Sequence, residues 1–187
     1  MRVDGLGRAR RIVVYGVTGS GKSTLAKQIS VATGVPWHAV DELTWRPGWT
    51  EVPKDEQRRV IETICAEPEW ILDTAYGSWL DVPLRRAEVV VALDYPRWFS
   101  LQRLARRTLS RLVRRTPVCN GNRETLRRAL SRRDSIIGWH FQSFARKRSR
   151  IRDWSADPAG PAVLSLTSSR ATRTFLAGLR SLSGHPR

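Results

Sequence analysis

Residues 16 to 23 read GVTGSGKS, which places three glycines, a lysine and a serine at the spacing G-x-x-x-x-G-K-[ST]. Main-chain N–H groups that converge on a phosphate need unusual dihedrals and close approach, and Gly16, Gly19 and Gly21 permit both. Lys22 then supplies a point charge to the terminal phosphates, and the Ser23 hydroxyl is a ligand for the magnesium ion that accompanies them. The flanks agree with this chemistry. The strand-like IVVY precedes the loop and the amphipathic TLAKQISVA follows it, so a helix begins near Lys22 with its positive dipole end at the loop. Gly16, Thr18, Gly19, Ser20, Gly21, Lys22, Ser23 and Thr24 are therefore the candidate nucleotide-binding residues, with ATP and Mg2+ as the expected cofactors.

Moving a phosphoryl group calls for positioning and charge neutralisation more than for covalent chemistry, so carboxylates at strand ends and arginines are the remaining parts to find. Asp73 ends the apolar run Trp70 to Leu72, where it either holds the metal together with Ser23 or forms a turn by bonding its own backbone. Asp94, just before Tyr-Pro-Arg, reads as a helix cap. Between Tyr95 and Arg152 the only acids are Glu124 and Asp134 against a long series of arginines, an uncompensated charge that favours an anion partner. Trp45 and Trp49 are as suited to a pocket as to a core, Trp37 reads as core, and Arg46 is a candidate for holding an anionic group. His38, His140 and His185 show no ligand spacing.

These residues hang on a recognisable frame. Short, almost continuous apolar runs at Ile12 to Tyr15, Trp37 to Val40, Trp70 to Leu72, Val89 to Leu93 and Val163 to Leu166 read as five strands of a parallel sheet covered on both faces. Helical patterns fill the gaps at about 22–32, 53–66, 98–113 and 170–182, and such alternation implies right-handed crossovers and a doubly wound α/β fold. In the helix after the fourth run, Leu101, Leu104, Ala105, Thr108, Leu109 and Leu112 form one stripe that should face the core. Arg103, Arg106, Arg107, Arg111, Arg114 and Arg115 project from the other faces, and the helix stops near Pro117, before a Cys-Asn-Gly-Asn turn that reads as a hinge.

The 187 residues suit one domain, with 41% hydrophobic residues and eight tryptophans for a packed interior. Cys65 and Cys119 have no disulfide or zinc spacing, the basic start MRVDGLGRARR is followed by too short an apolar run for a signal or a span, and a cytoplasmic protein is expected. A formal net charge of +16 implies attraction to polyanions without choosing among nucleotides, nucleic acid and an acidic membrane face.

With GVTGSGKSTLA at 16 to 26, the Asp-x-Leu-x-Trp-x-Pro-Gly-Trp run from Asp41 to Trp49, WILDTAY at 70 to 76 and LDYPRW at 93 to 98, the chain resembles the adenylate kinase-like and shikimate kinase-like P-loop proteins. Among these it looks closest to the small bacterial topology modulation, or adenylate kinase-related, group. The resemblance implies a five-stranded parallel sheet, an acceptor-binding insert at about 41–69 and an Arg-bearing lid at about 103–150. It implies an acceptor-side role for Asp41, for which a helix N-cap is the plain alternative, and phosphate contacts for Arg103 and Arg107. It also implies an adenine site at Ser168 to Thr172. Where that group has Asp-Gly-Asn-Tyr, this chain has Asp73, Thr74, Ala75 and Tyr76, without the glycine.

The expected catalytic set is thus Lys22, Asp41, Asp73, Arg103 and Arg107. The expected activity is transfer of the terminal phosphoryl of ATP to a small acceptor, a nucleoside monophosphate or a hydroxylated metabolite, with no membrane partner. The alternatives are a nucleotide-dependent nucleic-acid-binding or regulatory protein and a slow NTPase.

Overall fold

A computed structural model describes residues 8–114, 119–122 and 136–182, so Arg115, Pro117, Glu124, Asp134 and His185 lie outside the described residues. The five expected strands form one parallel sheet in the order β2-β5-β1-β6-β7, with β1 at Arg11–Gly16, β2 at Trp37–His38, β5 at Trp70–Leu72, β6 at Val89–Leu93 and β7 at Ala162–Leu166. Helices α1 (Lys22–Thr33), α3 (Lys54–Ala66), α5 (Arg97–Arg114), α6 (Ile136–Ala156) and α7 (Ser169–Leu182) cover it. The fold is the expected α/β layout, a five-stranded parallel sheet flanked by helices.

Strand residues alternate between two buried faces, which is why the runs are apolar throughout. Ile12, Val14, Ile71, Val89 and Val91 pack with Leu25 and Ile29 of α1 and with Phe175, Leu176 and Leu179 of α7. Val13, Tyr15, Trp70, Leu72, Val90 and Ala92 pack on the opposite face with Ile61 and Cys65 of α3, Ile151 of α6 and Trp79. Trp70 and Trp79 are fully buried. Trp79 donates its indole N–H to Gln57 Oε1 at 3.0 Å, and Gln57 donates to the Val52 carbonyl at 2.7 Å, so this polar handle is satisfied inside the core.

The segment after β2 departs from the expected continuation to Val40. The strand stops at His38, and a five-residue helix α2 (Val40–Thr44) leads into a two-stranded antiparallel hairpin of β3 (Trp45–Arg46) and β4 (Thr50–Glu51). Two-residue strands carry no readable period, so hydrophobic patterning does not reveal this hairpin. Its turn, Pro47–Trp49, holds Gly48 and Trp49 at positive φ, 76° and 59°. A short helix α4 (Asp81–Leu84) follows β5.

Helix α5 corrects a second expectation. Of its apolar stripe, Leu104 and Thr108 are buried and Leu101 half-buried, but Ala105 is exposed and Leu109 is 64% exposed. The buried part of the stripe is centred on Leu104, which packs directly against Gly19 of the loop.

Candidate functional site

The loop between β1 and α1 is shaped by its own main chain and braced from below. Gly19 and Gly21 sit at φ of 83° and 96°, a region that L side chains enter at a cost of about 1–2 kcal/mol per residue. A Cβ on Gly19 would stand 2.7 Å from the Ser100 carbonyl and 2.8 Å from Leu104 Cβ, so α5 closes directly under the loop. Ser20 donates through both its N–H and its hydroxyl to the Val17 carbonyl, at 3.2 and 2.8 Å, and the Lys22 ammonium reaches the same oxygen at 3.1 Å. Buried His140 of α6 supports the loop with Nδ1 at 3.1 Å from the Thr18 carbonyl and Nε2 at 3.4 Å from Ser100 Oγ, a contact that spacing could not reveal.

Charged groups converge at the C-terminal end of β1. Burial pushes the Lys22 ammonium below its ordinary value, the carboxylates of Asp41 and Asp73 push it back up, and the Arg107 guanidinium pushes it down. Asp73 is buried; its carboxyl is raised by that burial and held down by hydrogen bonds from the Ser23 hydroxyl and the Val40 N–H, the latter at 2.9 Å. It thus bonds the first residue of α2 across the site, and not its own turn. Asp41 is one residue inside α2, whose N-cap position is Ala39, so the capping alternative fails. Its carboxylate instead accepts the Tyr76 phenol at 2.6 Å. The phenol is held well above its ordinary value by burial first and by the Asp41 charge second.

Of the two arginines expected at the loop, Arg103 stands beside it, while Arg107 acts on Lys22 through its charge. Arg103 would stand 3.0 Å from a Cβ on Gly21 and stacks against Phe99 at 5.6 Å. With Ser20, Gly21, Thr24, Leu25, Gln28, Leu93, Tyr95 and Thr172 it walls a cleft of about 80 Å³. Tyr95 and Thr172 are joined at 2.6 Å between their hydroxyls, so the segment after β7 does border the loop. Arg46 takes a different place: both oxygens of Glu56 receive its guanidinium at 2.8 Å. Asp94 pairs with Arg148 at 3.0 Å in place of the expected cap. Trp37 packs on the core of the first face, while Trp45 and Trp49 meet edge to face at 6.0 Å beside Asp41.

Helix α6 adds two cations that sequence reading passed over. Lys147 donates to the Gly16 carbonyl at 3.2 Å and stands over the Tyr15 ring, and Arg150 reaches the Tyr15 hydroxyl at 3.5 Å and borders Gly77. Burial, with Lys22 next, pushes the Lys147 ammonium down to about 7. One signal was available, since Lys147 is the single lysine in the Arg-rich stretch from 97 to 152.

A triphosphate and its magnesium suit these groups: a glycine loop packed too closely on its supports to admit side chains, a lysine at its start, and a serine hydroxyl joined to a buried carboxylate.

No protein-family model matches the chain, and no curated protein matches it. Solved structures do. A gluconokinase from Sinorhizobium meliloti 1021 is 19% identical with a TM-score of 0.51, and each chain is covered to 93%. A shikimate kinase from Acinetobacter baumannii, in complex with shikimate, is 14% identical with a TM-score of 0.56 and 97% of each chain covered. A shikimate kinase from Bacteroides thetaiotaomicron is 15% identical with a TM-score of 0.54, covering 93% of this chain and 98% of the other. At these identities the likeness shows the fold that the chain shares with those kinases. Among the described residues no helix is long and apolar enough to cross a membrane.

Proposed function

We propose that the chain is an ATP-dependent kinase that transfers the terminal phosphoryl group to a small acceptor bearing a hydroxyl or phosphate oxygen and a second anionic group. The observation that carries this reading is the glycine loop at the end of β1, with the Lys22 ammonium on the Val17 carbonyl and the Ser23 hydroxyl hydrogen-bonded to buried Asp73. Main-chain amides from Thr18 to Ser23 cradle the phosphates, and Lys22, Arg103 and Arg107 neutralise charge as it shifts toward the leaving diphosphate. Ser23 and Asp73 would hold magnesium, which supplies further charge neutralisation between the phosphates. Asp41, oriented by Tyr76, accepts the proton of the attacking oxygen. Lys147 and Arg150 face the acceptor side of the loop and supply the pairing for its anionic group.

A coupled assay of ADP release over a panel of phosphorylated and carboxylated acceptors tests the reading. Turnover should depend on the acceptor and fall by about 100-fold or more in Lys22→Ala. Calorimetry that finds no nucleoside triphosphate association at millimolar levels with magnesium supplied would end it.

A second reading, a nucleotide-dependent nucleic-acid binder, is favoured by one observation. Trp98 is 67% and Phe141 48% exposed beside Arg97, whose guanidinium lies 5.6 Å from the Phe141 ring, an arrangement able to stack on bases. Affinity for duplex or single-stranded DNA should then fall with salt at a log–log slope of about −0.9 or −0.7 per neutralised phosphate. Binding that vanishes near physiological salt removes this reading.

A further inference from the structure

The turn at 119–122 is docked on the segment that carries Asp41. Asn120, at φ 51°, donates its amide to the Glu42 and Trp45 carbonyls at 2.7 and 2.6 Å. Asn122, only 4% exposed, donates to the Arg46 carbonyl at 3.0 Å and accepts the Trp49 N–H at 2.8 Å. The Cys119 thiol donates to the Asp41 carbonyl at 2.9 Å. These bonds join residues 73 to 78 apart in sequence. They satisfy backbone groups that a one-turn helix and a hairpin of two-residue strands leave over, and that would otherwise need water. An asparagine suits both places, because it offers two donors and an acceptor from a short stem, and at position 120 it also tolerates the left-handed region.

We propose that Asn120 and Asn122 are positioning residues for the acceptor: they fix the main chain from Asp41 to Trp49 and so set where the Asp41 carboxylate stands. The inference rests on the kinase reading only in giving Asp41 its acceptor-side task. Only Asp41 and the tryptophan pair have to touch the acceptor; the two asparagines act through them.

Two neutral variants test it in the full chain. Asn120→Gly keeps the backbone conformation and removes the donor, and Asn122→Ala removes both bonds to the hairpin. In each, amide exchange in a peptide covering 41–51 should quicken by about 10-fold or more, while peptides covering β1 and β6 stay unchanged. Iodoacetamide should alkylate Cys119 faster by a similar factor; Cys65, 1% exposed, serves as the internal reference. The Tyr76 phenol, followed by ultraviolet absorbance, should titrate closer to its ordinary value as Asp41 drifts away. The dissociation constant of a non-hydrolysable ATP analogue should remain within about twofold, and with any acceptor that turns over, its KM should rise while that of ATP does not. Unchanged exchange and alkylation in both variants would overturn the clasp. Faster exchange with an unmoved Tyr76 titration would overturn the positioning role. Absence of turnover with every acceptor counts against the kinase reading and leaves the exchange and titration results to decide this one.

Discussion

The phosphate loop and the segment from Asp41 to Trp49 face each other across the same strand ends and are built by opposite means. The loop takes its curvature from glycines at positive φ and from bonds between residues three to five apart, with α5 and His140 pressed against its underside. The facing segment has little regular structure of its own and is held by a carboxylate from β5 and by amides of a turn more than seventy residues downstream. A phosphate is common to every substrate of such a fold, so its receptor can be rigid and local. An acceptor differs from one protein to the next, and a receptor assembled from distant side chains can change without disturbing the sheet.

The contrast breaks first at Gly19. Gly19→Val forces a branched side chain into the left-handed region and against the Ser100 carbonyl; it should abolish ATP-analogue binding by calorimetry and lower stability by at least about 2 kcal/mol in denaturant melts. Next comes Lys147, which stands between the two regions. An anion beside it favours the ammonium, whose value in the free protein lies near 7, so ligand binding should take up a proton and weaken as pH rises through about 7 to 9. The sign for folding is opposite to that of a paired lysine: a depressed value means that the fold loses stability as pH falls from the unfolded-state value of about 10.4 toward 7. Lys147→Met should remove the proton uptake, seen by titration calorimetry in buffers of different ionisation enthalpy, and cost about 10-fold in affinity. Smallest is Arg46→Ala. The Arg46–Glu56 pair is largely exposed, so ligand affinity should change by less than about twofold and stability by no more than roughly 1 kcal/mol.

The two regions also differ in how far the sequence discloses them. The loop was legible because its determinants are contiguous: a strand, a glycine spacing and a helix start in one stretch. The helix that carries Arg103 and Arg107 was legible from its period, and the resemblance singled those two arginines out, although the same pattern overstated the buried stripe at Ala105 and Leu109, since a periodicity does not say where a helix runs off the core. Asp41 was visible, but its partner Tyr76 was not, nor were the hairpin, Asn120 and Asn122. Their contacts join side chains to a carboxylate or to main-chain groups across long separations and impose no composition or period on either partner. Lys147 was hidden in the opposite way, as a residue of ordinary type among many cations, distinguished only by where α6 places it.

The central position of β1 has a consequence for synthesis. This strand pairs with β5 and β6, whose residues begin at Trp70 and end at Leu93, so the strand of this sheet that is made earliest is the one that waits for partners on both sides. At about 5–20 residues per second the ribosome needs several seconds to deliver them, during which IVVYG is an unpaired apolar edge. A chaperone that recognises short extended apolar peptides would meet its target here, in the nascent protein, at the strand that later leads into the glycine loop.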